Sequence, residues 1–274
     1  MGPDTAATPA KNDTDPGADL LYAVADGIAT VTFNRPATRN ALTIPMYLGL
    51  AEICRTVPTD GSVKAIIVQG AGGRAFAAGT DMTHFRGFSV PQDALDYEHR
   101  MNGVMADVER CPVPTIAAIT GACTGGGAAI AACCDLRITD ARLKFGFPIA
   151  RTLGNCLSVG NLARLTALVG PGRVSDMILM ARLVGAEEAL AMGLVSEVLP
   201  DADAVLARAR AMAETLAGHA PLTMRATKEG LRRVIADGPA AEDADLVTMC
   251  YMSEDHREGM EAFLAKRPPV WKGR

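Results

Sequence analysis

Apolar residues follow two rhythms along the chain. Up to about residue 150, short β-branched runs alternate with segments of helical spacing. LLYAVADGIATVTFNRP reads as two strands around a turn at Asp26-Gly27. Residues 45–57 carry helical spacing, with Pro45 suited to a first turn. VKAIIVQG (63–70) and PTIAAIT (114–120) read as buried strands. Between them lie a glycine-rich loop, AGGRAFAAGTDM, and a helix over 91–110 that stops before Cys111-Pro112. A helix AAIAACC and two short strands, LRIT and LKFG, follow.

Beyond residue 160 the rhythm changes. AEEALAMGL, VLARARAMAETLAG, LTMRATKEGLRRVIAD and the last 35 residues are nearly all helical by period. The expected organisation is a disordered tail over 1–18, an α/β core over 19–200 and a helical region over 201–274. The tail rests on composition, since MGPDTAATPAKNDTDPGAD is rich in Pro, Asp, Thr and Gly.

Composition narrows the class. The chain has 274 residues, 49% of them hydrophobic and 21% charged, as in an ordinary domain with a sizeable core. A net charge of −4 without long basic runs argues against nucleic acid as a partner. The exception is a late cluster, Lys266, Arg267, Lys272 and Arg274. Seven cysteines without metal-ligand spacing fit a reduced, cytoplasmic protein and give no metal site. The N-terminal segment lacks the apolar stretch of a secretory signal, and no run of about 18 apolar residues predicts a membrane span.

The sharpest local signal is GACTGGGAAIAACCD, residues 121–135. Three uses of its glycines compete. A strand-to-helix turn with close backbone packing needs no ligand. Phosphate binding fits poorly, because no Lys follows and G-x-G-x-x-G is not supplied. An oxyanion hole fits a helix N-terminus, whose unpaired N–H groups and dipole favour negative charge. It needs a second donor, which the glycine turn in AFAAGTD (75–81) could supply.

NRPATRNAL (34–42), AFAAGTDM (75–82), GACTGGGAA (121–129) and FGFPIA (145–150), in this order, resemble the crotonase, or enoyl-CoA hydratase/isomerase, superfamily. The final SEDHREGMEAFLAKRPPVWKGR resembles that family's last helix. The resemblance implies an α/β fold, a spiral of repeated ββα units, with a helical C-terminal region that builds trimers or pairs of trimers. It implies an acyl-CoA substrate and no cofactor beyond the coenzyme A carried by that substrate. By position, the N–H groups of Thr80 and Gly126 would hold the thioester oxygen, with Ala78, Gly79 and Gly125 beside them. Phe263 and Lys266 match the residues near the CoA adenine and phosphates, and Arg39 could also reach the phosphates.

The chain departs from the pattern at the acid/base pair. The family's hydratases carry one glutamate two residues after the glycine triplet, here Ala129, and another after FG-x-P, here Ile149. The following loop, IARTLGNCLSVGNLARL, is longer by about one residue than the hydratase loop it resembles, but a slip by one gives only Pro148 or Ala150. Replacement candidates are His84, Arg151, Thr152, Asn155, Cys156 and Ser158, with Asp81 read first as a cap. Arg151 and Asn155 could instead bind a polar acyl group. Two rivals stay open: a binding protein that holds acyl-CoA without chemistry, and a thioester hydrolase using Cys156.

Overall fold

A computed structural model of the chain describes residues 17–274. The tail expected over 1–18 therefore lies outside the described residues, apart from Gly17 and Ala18. β1 (Leu20–Ala25) and β2 (Ile28–Phe33) form an antiparallel hairpin around Asp26-Gly27. α1 (Ile44–Thr56) follows, its first turn held by Pro45 and by the Thr43 hydroxyl, which accepts from the Met46 N–H at 3.4 Å.

From there one unit repeats three times: a strand in a large sheet, a strand in a small sheet, then a helix. The first copy is β3 (Ala65–Gly70), β4 (Ala75–Ala78) and α2 (Pro91–Glu109). β5 (Thr115–Ile119), β6 (Ala122–Thr124) and α3 (Gly126–Cys133) make the second. β7 (Leu136–Asp140), β8 (Lys144–Gly146) and the short α4 (Ile149–Thr152) make the third. The spiral of ββα units expected of the fold is thus present. Helices then dominate: α5 (Val159–Val169), α6 (Pro171–Leu179) and α7 (Ala186–Ala191). After β9 (Glu197–Leu199) come α8 (Ala202–Ala217), α9 (Pro221–Asp237), α10 (Ala244–Tyr251) and α11 (Glu254–Leu264).

The large sheet runs β1-β2-β3-β5-β7-β9 and is parallel from β2 onward. Its central strands are buried on both faces, which is why they read as continuous apolar runs. Ile66, Val68, Ala117 and Ile119 join the main core with α1, α2 and α3. The alternate residues, Ile67, Ile116, Ala118 and Ile138, pack with Val205, Ala209 and Ala213, a stripe on α8 with a spacing of four. No helix among the described residues is long and apolar enough to cross a membrane.

Three strands depart from the pattern expected of the sequence. β4 lies inside the expected glycine-rich loop, β6 between β5 and the expected helix, and β9 inside the stretch expected to be helical. β6 and β9 are three residues each, and their partners rather than local propensity define them.

Candidate active site

The small sheet, order β4-β6-β8, positions the site. Its register pairs Ala78 with Thr124 and Thr124 with Gly146, so the three strands end side by side. The turns that leave them therefore meet. Gly79 has φ 103° and Gly125 has φ 53°, a region that favours glycine. A Cβ on Gly125 would lie 3.4 Å from Gly79 Cα, so the two turns abut. Backbone bonds pin them. The Leu42 N–H donates to Gly79 O and the Asp81 N–H to Leu42 O, both at 2.8 Å. The Gly125 N–H donates to Gly146 O at 3.0 Å. The N–H groups of Thr80 and Gly126 meet no acceptor among the described residues. Gly126 opens α3, whose dipole adds partial positive charge there.

Both residues line a cavity of about 230 Å³ between α1, α2, α3 and the 148–161 segment. Ala78, Gly79, Gly125, Ala129, Ile149, Thr152, Asn155, Cys156 and Ser158 line the same cavity. Ala129 and Ile149 are buried, so its wall is apolar at both positions. Asn155 and Cys156 are exposed in the loop that closes one side.

The other sequence candidates lie elsewhere. His84 belongs to an aromatic cluster, with ring centroids 5.5 Å from Tyr97, 5.7 Å from Phe85 and 5.8 Å from Phe88. It is not part of the cavity lining, although Tyr97 and Phe85 beside it are. Arg151 is exposed on α4, outside the lining. Arg39 borders a separate cleft with Arg74, Arg142 and Lys144. Phe263 is 82% exposed on α11, and Lys266 is exposed just beyond it. Asp81 caps the short turn Met82–Gly87, accepting from the Thr83 N–H at 3.1 Å, and pairs with Arg35 at 3.0 Å. The Thr83 bonds, then Arg35, hold its carboxyl below the ordinary range.

Among the cavity residues that were not sequence candidates, three carry ionisable side chains: Tyr47, Tyr97 and Glu98. The Tyr47 hydroxyl is 2.8 Å from Thr80 Oγ1, which lies 3.4 Å from the Tyr97 hydroxyl. Burial raises the pKa of both phenols, so they stay protonated as donors. Gly126 is required here, because a Cβ would fall on the Tyr47 hydroxyl. The third is Glu98 on α2, whose carboxyl burial pushes above its usual range. Tyr97, Glu98, Met101 and Met105 line the cavity at helical spacing, a stripe visible in the sequence once one face of α2 is assigned. Among the described residues no group of three or more His, Cys, Asp or Glu could hold a metal ion.

Similarity to known proteins agrees with this geometry. The family model for enoyl-CoA hydratase/isomerase matches residues 23–274, and the chain belongs to that family. It is 32% identical to a 2,3-dehydroadipyl-CoA hydratase of Escherichia coli, covering 93% of this chain and 99% of that protein. A crotonyl-CoA hydratase of Syntrophomonas wolfei is also 32% identical, over 91% of this chain and 96% of that one. Among solved structures, an enoyl-CoA hydratase/carnithine racemase from Magnetospirillum magneticum superposes with a TM-score of 0.85 at 37% identity. That match covers 94% of this chain and 96% of its counterpart.

Proposed function

We infer that this enzyme binds an acyl-CoA thioester and stabilises its enolate through the Thr80 and Gly126 N–H groups. The observation that carries this is the pair of acceptor-free N–H groups on one cavity wall, one of them at a helix N-terminus. A thioester oxygen gains negative charge as its α-carbon loses a proton. Preorganised donors in a dry pocket therefore favour the enolate over the ground state. Loss of one such donor typically costs roughly 3–4 kcal/mol of barrier. Coenzyme A enters only as part of the substrate.

The family label alone favours hydration. Ala129 and Ile149 weigh against hydration by a glutamate pair, because neither side chain carries a proton. Isomerisation, hydration with another base, or C–C cleavage all pass through the same enolate. Arg39, Phe263 and Lys266 lie off the cavity wall, so their proposed contacts with the CoA phosphates and adenine are to the part of the substrate outside the cavity, in the same chain or from a neighbouring copy in a trimer or a pair of trimers. A cytoplasmic setting fits the seven cysteines, all unpaired in the structure.

The test is optical. A conjugated dienoyl-CoA absorbs at longer wavelength when its carbonyl is polarised. Binding should shift its spectrum, and a panel of enoyl, dienoyl, β-keto and malonyl-type thioesters should yield at least one turnover. No shift on saturating binding overturns the proposal. A shift with no turnover across the panel supports the non-catalytic binding protein. Hydrolysis that survives blocking of Cys156 with a thiol reagent removes the nucleophilic-cysteine mechanism.

A further inference from the structure

The polarised thioester still needs a group to move a proton, and both positions expected to supply one are apolar. Glu98 is the sole carboxylate on the cavity wall among the described residues. It lies three and seven residues before Met101 and Met105, on the face of α2 that meets the cavity. The preceding residue, Tyr97, brings its hydroxyl to 3.4 Å from Thr80 Oγ1, so this turn of α2 stands beside the Thr80 turn. Glu98 has no side-chain hydrogen bond or ion pair among the described residues, unlike Glu109 at the far end of the same helix, which is locked to Arg164. A half-buried carboxylate with no structural partner is unusual, because burial without pairing is costly.

We propose that Glu98 is the catalytic residue that carries a proton to and from the α-carbon of the bound thioester. This rests on the enolate function inferred above. In the forward step a Glu98 oxygen takes the α-proton. The C–H electron pair becomes the C1=C2 bond, and the carbonyl π pair moves onto the oxygen facing the Thr80 and Gly126 N–H groups. The reverse step returns a proton to the α-carbon and restores the carboxylate. No oxidant, metal or co-reactant is required. Burial raises the carboxyl pKa, with no charged neighbour contributing, which makes the carboxylate a stronger base than an exposed one.

The experiment uses full-length protein and butyryl-CoA in D₂O, with loss of the α-proton signal followed by NMR. Wild type should exchange the α-protons. Glu98→Gln should slow exchange roughly 10²-fold or more while leaving the dienoyl-CoA absorbance shift in place. Glu98→Asp, which keeps the carboxylate on a shorter arm, should recover part of the rate. Glu98→Gln exchanging at the wild-type rate overturns the assignment. A wild-type spectral shift without any exchange overturns it too, while the polarising site stands. Absence of the shift in wild type overturns the enolate function itself, so the two failures are distinguishable.

Discussion

At the residue scale, Gly126 is constrained twice. Its N–H meets no acceptor among the described residues, and its missing Cβ leaves room for the Tyr47 hydroxyl. Gly126→Ala should therefore displace Tyr47, break its 2.8 Å bond to Thr80 Oγ1 and move the Thr80 turn. The expected result is a fall in kcat/KM of roughly 10²-fold or more, as for loss of a single oxyanion donor. Adding Tyr47→Phe removes the nearest clash and should recover part of that loss. A Gly126→Ala enzyme with wild-type kcat/KM would show that the close approach is irrelevant to turnover. That the turns of Thr80 and Gly126 meet at one cavity is legible in the sequence, because glycine turns leave a mark. Tyr47 leaves none, and Tyr97 and Glu98 leave only a helical spacing that does not say which face meets the cavity. Each sits on a helix, and only the rotation of that helix against its neighbours decides that it meets the cavity. Asn40 makes the same point from the other side. It lies in the NRPATRNAL motif, yet it is fully buried and its amide donates to Ala71 O at 3.0 Å and to Ala75 O at 2.8 Å. Its visible role is to hold the start of β4, not to touch a ligand.

At the scale of elements, long segments with a clear period were legible and short ones were not. α1, α2, β3 and β5 stand close to where apolar spacing puts them. β6 and β9 exist because Ala122 meets Ala75 and Lys144, and Glu197 meets Ile138. No three-residue window contains that information. The helical region adds a pH-sensitive joint. Arg233 of α9 bonds both Asp245 oxygens of α10 at 2.6 and 2.7 Å, and also Glu229 at 2.8 Å. Arg232 and then Arg233 hold Glu229 down from 4.5 to about 2, and Arg233 holds Asp245 down from 3.8 to about 2. Both folded-state pKa values are depressed. Their stabilisation is therefore complete above the unfolded values and is lost as pH falls toward 2. In a pH series of thermal melts, the Tm gap between wild type and Asp245→Asn should be present near neutrality. It should close between about pH 4 and pH 2. A gap that stays constant through that window would mean the pair does not hold α10 to α9.

At the scale of the whole molecule, the inferred site is incomplete in one chain. The proposed role of the cavity covers only the reacting end of a thioester, while the cations and aromatic matched to the CoA end lie off its wall. Large apolar side chains are exposed on α9 at Leu231, Val234 and Ile235, and on the last helix at Met260, Phe263 and Leu264. Clusters of exposed large apolar side chains on each helix favour association. Sedimentation should accordingly give three or six times the 28.6 kDa chain mass, and a monomer at micromolar concentration would overturn the inferred trimer. Lys266→Ala then separates the two ends of the substrate. With a CoA thioester, KM should rise while kcat holds, because the lost contact is the same in the ground state and the transition state. With the matching N-acetylcysteamine thioester, which lacks the phosphates, neither constant should change. If both thioesters respond alike, Lys266 acts through the packing of α11 and not through phosphate. If neither responds, the CoA end is held elsewhere, and the cleft of Arg39, Arg74, Arg142 and Lys144 becomes the next surface to alter.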